Sequence, residues 1–172
     1  NSVTIAPSTS QTFTLNGTNF VSIPIVEFIA STGAITRATA VSFTSATAIS
    51  VTTNLASGSY YIRVENNDGN AVRSTNAILS VSTSPSWTTS AGSLGTFAGD
   101  TSGTLATVAA TSDSTITYSV TSGSSDLTSA GVTLNASTGA LTTSDFGGSS
   151  TTPTTYSFTI TATDAEGQTA AR

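Results

Sequence analysis

An alternating stretch that ends in a turn signal constrains the fold more than any other part of this chain. Apolar side chains occupy every second position: Tyr60, Ile62 and Val64. The positions that alternate with them carry more polar or amphipathic side chains: Tyr61, Arg63 and Glu65. An Asp-Gly pair follows at 68–69, and these residue types tolerate positive φ in turns. The pattern predicts a half-buried β-strand that runs into a tight turn.

The same pattern recurs near the other end of the chain. Tyr156, Phe158, Ile160 and Ala162 alternate, and Asp164-Ala-Glu-Gly167 follows as a turn. Between the two copies, Ser82-Thr-Ser-Pro-Ser86 is a polar break whose proline disfavours a continuous strand. A length of 172 residues allows two domains. We therefore predict two β-sandwiches in tandem, residues 1–83 and 84–172.

Alternation and turn residues also predict the strands within each half. In the first half they fall near residues 2–6, 11–16, 23–30, 34–43, 47–53, 58–65 and 71–81, and in the second near 93–98, 103–110, 115–121, 131–135, 139–143 and 155–163. No window has helical periodicity with capping residues, so we expect an all-β chain. We expect Trp87 to close one end of the second core or the interface between the halves.

Composition excludes most site chemistry. The chain has no His, Cys, Lys or Met, so the common nucleophile–base pairs and the usual zinc, copper or iron–sulfur sites cannot be built. Four arginines form no basic patch, and a net charge of −5 opposes nucleic-acid binding. The longest apolar runs are far short of a bilayer span. We predict no enzyme activity, no catalytic, cofactor-binding or metal-binding residues, no cofactor, and neither nucleic acid nor membrane as a partner.

Hydroxyl side chains replace charges on the expected surface. The chain contains 37 Thr and 30 Ser, whereas charged residues make up only 8%. Threonine favours pleated, half-buried surfaces, and it can cover the wet face of a sheet. This composition suits a secreted or particle-bound structural protein, and we predict an extracellular or virion-surface location.

The first half resembles the IPT/TIG family of immunoglobulin-like domains. The resemblance covers nearly the whole half, and the residues that carry it lie in three segments: Phe13-Thr-Leu-Asn-Gly-Thr-Asn-Phe20, Val26-Glu-Phe28 and Tyr61-Ile-Arg-Val-Glu-Asn-Asn-Asp-Gly69. The usual Gly-Gly pair before the second strand is replaced by Ser8-Thr-Ser-Gln11, which changes the first turn and leaves the expected fold intact.

The second half is similar to the cadherin-like immunoglobulin repeats of surface and virion proteins. The matching segments are Gly131-Val-Thr-Leu-Asn-Ala-Ser-Thr-Gly-Ala-Leu141 and Phe158-Thr-Ile-Thr-Ala-Thr-Asp-Ala-Glu-Gly167. The usual Leu-Pro-x-Gly lead-in is replaced by Ser125-Asp-Leu-Thr-Ser-Ala130. The low charge and Thr/Ser-rich style also resemble fibrous or decorating proteins of tailed phages. Together the resemblances imply two tandem immunoglobulin-like β-sandwiches, modules for spacing, adhesion and assembly that carry no catalytic set.

Several acidic side chains are candidates for chemistry. Calcium binding is one interpretation of Asp68, Asp164 and Glu166, but the ion needs six or more oxygens, and simple turn chemistry is the alternative that we favour. A glycosidase pair would need two carboxylates across one cleft, and nothing in the sequence brings two together. The acids considered for such a pair are Asp126 and Asp145, with Glu27 or Asp113, and we interpret them as solvated loop acids.

Two glycosylation-type sequons are present. They are Asn16-Gly-Thr18 and Asn135-Ala-Ser137. In a chain so rich in Ser and Thr such matches arise easily by chance, and we interpret both as turns.

Two interface predictions follow from the strand pattern. Tyr61, Arg63 and Glu65 share the outward face of one strand, where a Tyr beside an Arg is typical of an interface anchor or a carbohydrate platform. A solvated sheet face is the alternative that we favour.

The second interface prediction concerns the last strand of the second sandwich, which Thr169-Ala-Ala-Arg172 is too short to fill. A neighbour could supply this strand by β-augmentation, with Val3 and Ile5 of the N-terminal segment as donor residues. Alternatively, more chain follows in the gene.

We predict a non-enzymatic structural protein of an extracellular assembly, most simply a phage virion component such as a capsid decoration protein or fibre. Its partners would be protein neighbours in a homo- or hetero-oligomer, capsid or tail proteins among them, joined through strand edges and hydroxyl-rich faces. A bacterial surface adhesin or filament subunit that binds glycan or host protein is the first alternative. An accessory module of a secreted polysaccharide-degrading enzyme is the second.

Overall fold

The structure, a computed structural model, describes residues 2–149 and 152–172. The chain divides into two compact units, Asn1–Thr83 and Ser84–Arg172, called the N-terminal and C-terminal units below. Almost all regular structure in the described ranges is β-strand, and the one helix there is a short segment of the C-terminal unit. The predicted all-β class is therefore confirmed.

The N-terminal unit contains two sheets. Its strands are β1 (Val3–Ile5), β2 (Gln11–Asn16), β3 (Ile25–Ala30), β4 (Ile35–Arg37), β5 (Ala40–Ser45), β6 (Ala48–Thr53), β7 (Gly58–Glu65), β8 (Ala71–Arg73) and β9 (Leu79–Val81). One sheet has the order β1-β9-β7-β3-β4, with β8 also paired to β7, and the other has the order β2-β6-β5. The β1–β9 pairing is parallel. This division of strands between two sheets is the immunoglobulin arrangement.

The two sheets of the N-terminal unit enclose one core. Phe28 of β3, Ile49 of β6 and Leu79 of β9 are fully buried. The rings of Phe13 and Phe28, from opposite sheets, lie 6.3 Å apart, which shows that the sheets pack face to face. Strand alternation explains this core, because every second residue of β3, β6 and β7 turns inward.

The C-terminal unit repeats the arrangement with shorter pieces. Its elements are β10 (Ser86–Trp87), β11 (Thr101–Thr107), β12 (Ala110–Thr111), β13 (Thr117–Ser122), α1 (Ser124–Ser129), β14 (Val132–Leu134), β15 (Ala140–Phe146), β16 (Thr159–Thr163) and β17 (Thr169–Ala171). The two main sheets have the orders β11-β15-β14 and β13-β16-β17, and β10 pairs with β12. Both units are immunoglobulin-like β-sandwiches, as predicted.

The core of the C-terminal unit joins residues from both of its sheets. Leu141 of β15 and Ile160 of β16 are buried, and Val108 is buried between β11 and β12. Trp87 packs against this core: its ring lies 5.8 Å from that of Tyr118, and its Nε1–H donates to the Ala170 carbonyl at 3.3 Å.

Hydroxyl pairs cross the outward faces of both sandwiches. The Oγ1 atoms of Thr12 and Thr52, on β2 and β6, lie 2.8 Å apart. Those of Thr121 and Thr161, on β13 and β16, lie 2.9 Å apart. Each such pair satisfies two side chains without a charge, as the Thr-rich composition predicts for wet sheet faces.

Several predicted strands need correction. Of residues 155–163 only Thr159–Thr163 form a strand, β16, and residues 103–110 are divided between β11 and β12, which belong to different sheets. Residues 34–43 form two strands, β4 and β5, which belong to different sheets because the chain crosses from one sheet to the other at 38–39. Residues 71–81 likewise form β8 and β9, separated by an irregular segment. Residues 93–98 form no strand: Gly92 and Gly95 both adopt positive φ there, which interrupts an extended ladder.

The expectation of no helix was also wrong. Helix α1 begins after Gly123, which has positive φ and supplies no side-chain cap, and it buries only Leu127 along its length. Six residues with one buried apolar side chain are too few to show helical periodicity, so the pattern could not reveal this helix. Within the described ranges, no helix has the length and apolarity that a membrane crossing needs.

The end of the C-terminal unit differs from expectation as well. Residues Thr169–Ala171 do form a strand, β17, which pairs antiparallel with β16. The pairing extends one residue further, since the backbones of Arg172 and Ile160 exchange two hydrogen bonds of 2.9 Å. The segment that we expected to be too short for a last strand therefore does form a strand.

Candidate interaction surface

The outward face of one sheet in the N-terminal unit brings together most of that unit's charges. The β3–β4 hairpin turns at Gly33, whose φ of +85° suits glycine. Its register places Glu27 opposite Arg37 and Ile29 opposite Ile35. On the other side of β3, β7 places Arg63 opposite Glu27 and Tyr61 opposite Ile29.

Register extends this face onto a fourth strand, because Arg73 of β8 lies opposite Arg63. A row of charged residues therefore crosses the four strands: Arg37, Glu27, Arg63 and Arg73. We call this surface the Tyr61 face, and its members are Glu27, Ile29, Ile35, Arg37, Tyr61, Arg63, Glu65 and Arg73. It holds five of the six charged residues of the N-terminal unit, three Arg and two Glu, and the sixth is Asp68 in the following turn.

Arg63 is the electrostatic centre of the Tyr61 face. Its Nη1 donates to Glu27 Oε2 at 2.9 Å, and its Nη2 donates to Glu65 Oε2. These hydrogen bonds, first the one to Glu65 and then the one to Glu27, raise the pKa of Arg63 above its ordinary value. The Arg63 side chain is a third exposed, so the pairs are screened by water and contribute little to stability. Their main effect is to hold the guanidinium between the two glutamates.

Arg73 lies directly opposite Arg63, which for two like charges would be unfavourable. The structure relieves this in two ways. The two glutamates neutralise Arg63, and the Arg73 guanidinium stacks over the Tyr61 ring, 4.8 Å from its centroid. Such cation–π stacking contributes about 0.5–1 kcal/mol at an exposed site.

An apolar row runs beside the charged one. Ile35, Ile29 and Tyr61 are cross-strand neighbours, and Ile35 remains 61% exposed. An exposed isoleucine next to an aromatic ring and paired arginines has the composition of a protein interface centre, where Tyr and Arg are enriched.

The size of the Tyr61 face limits what it can do alone. Four strands at about 4.8 Å spacing and three outward positions along β7 cover roughly 14 Å by 13 Å. A standard protein interface buries about 800 Å² on each partner. The Tyr61 face can therefore form the centre of a contact, and the contact must also include the hydroxyl-bearing surface around it.

The structure brings Tyr61, Arg63 and Glu65 to one surface, as their alternation predicts. Sequence reasoning missed Arg37 and Arg73, although a signal existed for the first of them. A hairpin that turns at Thr32-Gly33 places residues 27 and 37 opposite each other. Arg73 could not be placed in this way, because β8 is followed by a break that the pattern does not show.

Val3 and Ile5 lie elsewhere. They form β1, which pairs in parallel with β9 of the same unit, and Ile5 is buried in its core. The N-terminal strand is thus used within its own sandwich. Donating it to a neighbour would require β1 to leave that sheet.

The acids considered for calcium all take part in turns. The Asp68 carboxylate accepts from the backbone N–H and the Nδ2 of Asn70, and these bonds, the backbone one first, lower its pKa. Asp164 is buried, and its Oδ1 accepts from the Gln168 N–H at 2.7 Å. Glu166 accepts from the Ser114 hydroxyl. In the described part of the chain no three acidic side chains are grouped as a metal site would require.

The acids considered for a glycosidase pair either form a hydrogen bond or ion pair within the chain or are exposed. Glu27 pairs with Arg63, and Asp126 Oδ2 accepts from the Ser157 N–H at 2.9 Å. Asp113 and Asp145 are exposed. None of these contacts sets two carboxylates across a cleft.

The two sequons fall at turns. Asn135 Oδ1 accepts from the N–H groups of Ser137 and Thr138, a side-chain turn that its position before Ala136-Ser137 predicts. Asn16 ends β2, and Gly17, which follows it, donates its N–H to the Thr47 carbonyl.

Comparison with known proteins adds little to this description. No protein-family model and no curated protein matches the chain. Among solved structures, the amphioxus IgVJ-C2 molecule is similar over 99% of this chain and 97% of that one, with 17% identity and a TM-score of 0.35. A likeness at this level carries no argument about this chain.

Proposed function

We propose that this chain is a non-enzymatic structural protein of an extracellular assembly, a tailed-phage virion component such as a capsid decoration protein or fibre. In this proposal the Tyr61 face is the centre of its contact with a neighbouring protein. The observation that carries the proposal is the Tyr61 face itself. A chain with very few charges concentrates five of them in one row beside an exposed isoleucine and an aromatic ring.

The chemistry of the face supports a protein contact. Its central arginine is already neutralised by two glutamates, so a neighbour does not have to supply a countercharge before burying it. The Ile35–Ile29–Tyr61 row offers apolar area to bury. Arg37 and Arg73 have no ion pair among the described residues and could donate hydrogen bonds to carbonyl groups of a partner.

The first experiment locates the protein. Antibodies raised against the recombinant chain are used to label particles purified from the source culture, and the labelled particles are imaged by electron microscopy. The proposal expects regular labelling on capsid, tail or fibre. Labelling confined to cell envelopes or to free medium would refute the virion assignment.

The second experiment tests the Tyr61 face. Particles stripped of the protein by mild denaturant are mixed with the recombinant chain, and the amount that co-sediments is measured. Ile35→Glu and Arg73→Glu should each weaken rebinding about tenfold or more, as the loss of a central contact does. Thr14→Glu is the matched control, because Thr14 is exposed on the opposite sheet of the same unit and should rebind like the wild type. Equal rebinding by all variants, with unchanged far-UV circular dichroism, would contradict the proposal.

A surface adhesin that binds glycan is the competing function. A carbohydrate platform needs an open aromatic face, whereas the Arg73 guanidinium already stacks on Tyr61. This observation favours a protein partner over a sugar. Strong, selective binding of the monomer to a glycan array, abolished by Tyr61→Ala, would reverse that preference.

A further inference from the structure

Strand β5 is a free edge of the smaller sheet in the N-terminal unit. That sheet has the order β2-β6-β5, so β5 pairs with β6 on one side and with no strand of the described chain on the other. Four of its six residues are exposed. In an antiparallel ladder every second residue of an edge strand directs its N–H and C=O away from its neighbour. Strand β5 therefore presents unpaired backbone groups to a further strand.

The chain on either side of β5 does not cover this edge. Only residues 38–39 connect β4 to β5, and only residues 46–47 connect β5 to β6. Connections this short leave no segment that could fold over the edge, so its exposure is set within the unit itself.

The edges of the larger sheet are protected in the way that natural edge strands usually are. Strands β1, β4 and β8 are only three residues long, and β4 and β8 end in Arg37 and Arg73. Short strands and charged side chains both discourage pairing with another chain. Strand β5 is twice as long, and residues 38–53 include no charged side chain. It therefore lacks both forms of protection.

An apolar row of the smaller sheet ends on β5 at an exposed side chain. Leu15, Ile49 and Phe43 are cross-strand neighbours on the face that turns toward the core. Ile49 is fully buried, whereas Phe43 is 42% exposed. The adjacent inward row comprises Phe13, Val51 and Val41. A strand placed along β5 would extend both rows and cover the exposed side of Phe43.

The sequence of β5 is complementary to itself in one antiparallel register. When Ser42 lies opposite Ser42 of a second copy, Val41 of each copy lies opposite Phe43 of the other. Directly opposed residues share one face of a sheet, so both inward apolar rows run unbroken across the two copies. On the outward face the row Thr14, Ser50 and Ser42 meets the same three residues, and hydroxyl groups line its whole length.

Other registers lose this match. A shift by one residue turns the inward face of one copy to the outward side of the other. A shift by two places Val41 or Phe43 opposite its own equivalent, and the remaining apolar side chain then lies opposite Ser45 or Thr39. A register shift between Phe43 and Ser45 also limits the flat part of the edge, which leaves three opposed pairs. Strands β4 and β8 form the same number with their neighbours.

The distribution of charge favours the N-terminal unit as the place where two copies meet. This unit has three Arg, two Glu and one Asp, which cancel, whereas the C-terminal unit has one Arg and six acids. Two N-terminal units therefore approach without net repulsion. No charged group of residues 38–53 has to lose its water at the contact, because there is none.

We propose that β5 pairs antiparallel with β5 of a second copy of this chain, around a two-fold axis at Ser42. The pairing joins two three-stranded sheets into one continuous sheet of six strands. The contact is isologous, since each copy contributes the same edge. It is also short, so the dimer is weak and reversible in solution. The proposal goes beyond the Tyr61 face and does not rest on it, because that face belongs to the other sheet.

Sedimentation velocity of the full chain over a dilution series, from about 10 μM to about 1 mM, measures the dimer. The wild type should dimerise as its concentration rises. Ser42→Lys should weaken the dimer about tenfold or more, because two like charges then lie directly opposite each other. Thr14→Lys is the matched control, because Thr14 is exposed on the same face at the other edge of the same sheet. It should dimerise like the wild type, and far-UV circular dichroism verifies that each variant is folded.

A mixing experiment tests the register. Ser42→Asp alone should be impaired like Ser42→Lys, because each places two like charges at the axis. An equimolar mixture of the two variants should regain dimers, because opposite charges then face each other. This rescue requires that residue 42 of one copy meets residue 42 of the other.

Hydrogen exchange of the ¹⁵N-labelled chain gives a readout of the backbone pairing. Amides of β5 that point away from β6 should exchange rapidly in the dilute chain and more slowly as the concentration rises. The amides of β4 should not change in this way.

Several results would overturn the proposal. One is a wild-type chain that stays monomeric, with unprotected β5 amides, at the highest concentration. Others are equal weakening by Thr14→Lys and a mixture that regains no dimer. Dimers that survive both Ser42 substitutions but are lost in Arg73→Glu would assign self-association to the Tyr61 face. A monomeric wild type whose rebinding to stripped particles is lost in Ser42→Lys would assign the edge to a different protein. Dimerisation and rebinding are separate measurements, so this proposal and that of the Tyr61 face fail independently.

Discussion

Replacing Gly139 by alanine should destabilise the C-terminal unit far more than the same change at another glycine with similar φ. Gly139 has φ of +72°, and a Cβ there would lie 2.1 Å from the Val108 carbonyl oxygen. An ordinary carbon–oxygen contact is about 3.3 Å, so the two backbones would have to separate by roughly 1.2 Å. That separation breaks the bond from Val108 N–H to Gly139 O, at a residue that is fully buried.

The expected magnitude is the sum of separate effects. An alanine in the left-handed region costs about 1–2 kcal/mol, and the reduced freedom of the unfolded chain returns about 0.4–1 kcal/mol. Loss of the buried hydrogen bond adds about 1–3 kcal/mol. We therefore expect Gly139→Ala to lower the free energy of unfolding by about 3 kcal/mol.

Gly167→Ala is the matched control. Gly167 has φ of +82°, and nothing lies within 4 Å of a Cβ built there, so only the conformational effect remains, about 1 kcal/mol or less. Both glycines lie in the unit that contains Trp87, and urea unfolding followed by tryptophan fluorescence reports on it. The difference of about 2 kcal/mol corresponds to roughly 8–16 °C in Tm. Equal destabilisation by the two variants would refute the reasoning.

Three further predictions follow from contacts described above. Phe28→Ala should lower the free energy of unfolding of the N-terminal unit by about 3–5 kcal/mol, because Phe28 is fully buried. Val72→Ala is the control and should lower it by about 0.5 kcal/mol or less, because that side chain is 69% exposed. Urea titrations followed by circular dichroism measure both values, and similar values would contradict the packing. Asp68 should titrate below an ordinary aspartate in ¹³C-detected NMR. Its contribution to stability is then complete above the pKa of the unfolded chain and is lost as the pH falls through the lower folded value. Asn70→Ala should raise that pKa only in part, since the backbone bond remains, and a normal pKa in the wild type would exclude this turn. Assembly should change little between low and high salt, because few charges are available to screen, and a steep loss of co-sedimentation at high salt would contradict this.

Much of the fold could be predicted from alternation alone. The strand from residue 58 to 65 and the turn after it lie where the pattern places them, because Tyr60, Ile62 and Val64 face a core that only one register can fill. The outward residues of that strand, Tyr61 and Arg63, follow with no further information.

The remaining elements depend on tertiary contacts between elements, which the residue pattern within one strand does not reveal. The split of residues 34–43 between two sheets is set by tertiary pairing, since Arg37 bonds toward β3 and Ala40 toward β6. Helix α1 is set by the packing of Leu127 and has no periodicity of its own. The Tyr61 face was only half predictable for the same reason: Arg37 follows from a hairpin register, whereas Arg73 depends on where β8 ends.

The threonine pairs that cross the sheet faces have a consequence for colloidal behaviour. Thr12 with Thr52, and Thr121 with Thr161, give each hydroxyl a partner on the adjacent strand. Another protein molecule that contacts these faces gains little free energy, because each hydroxyl already has a hydrogen-bond partner. Most proteins stay dispersed because their net charges repel one another, and they precipitate when the net charge approaches zero. Surfaces whose hydroxyls are already paired attract one another weakly even without that repulsion. These threonine-bearing faces, unlike the Tyr61 face, should therefore contribute little to self-association even near pH 4.1, where the protein's own charges cancel.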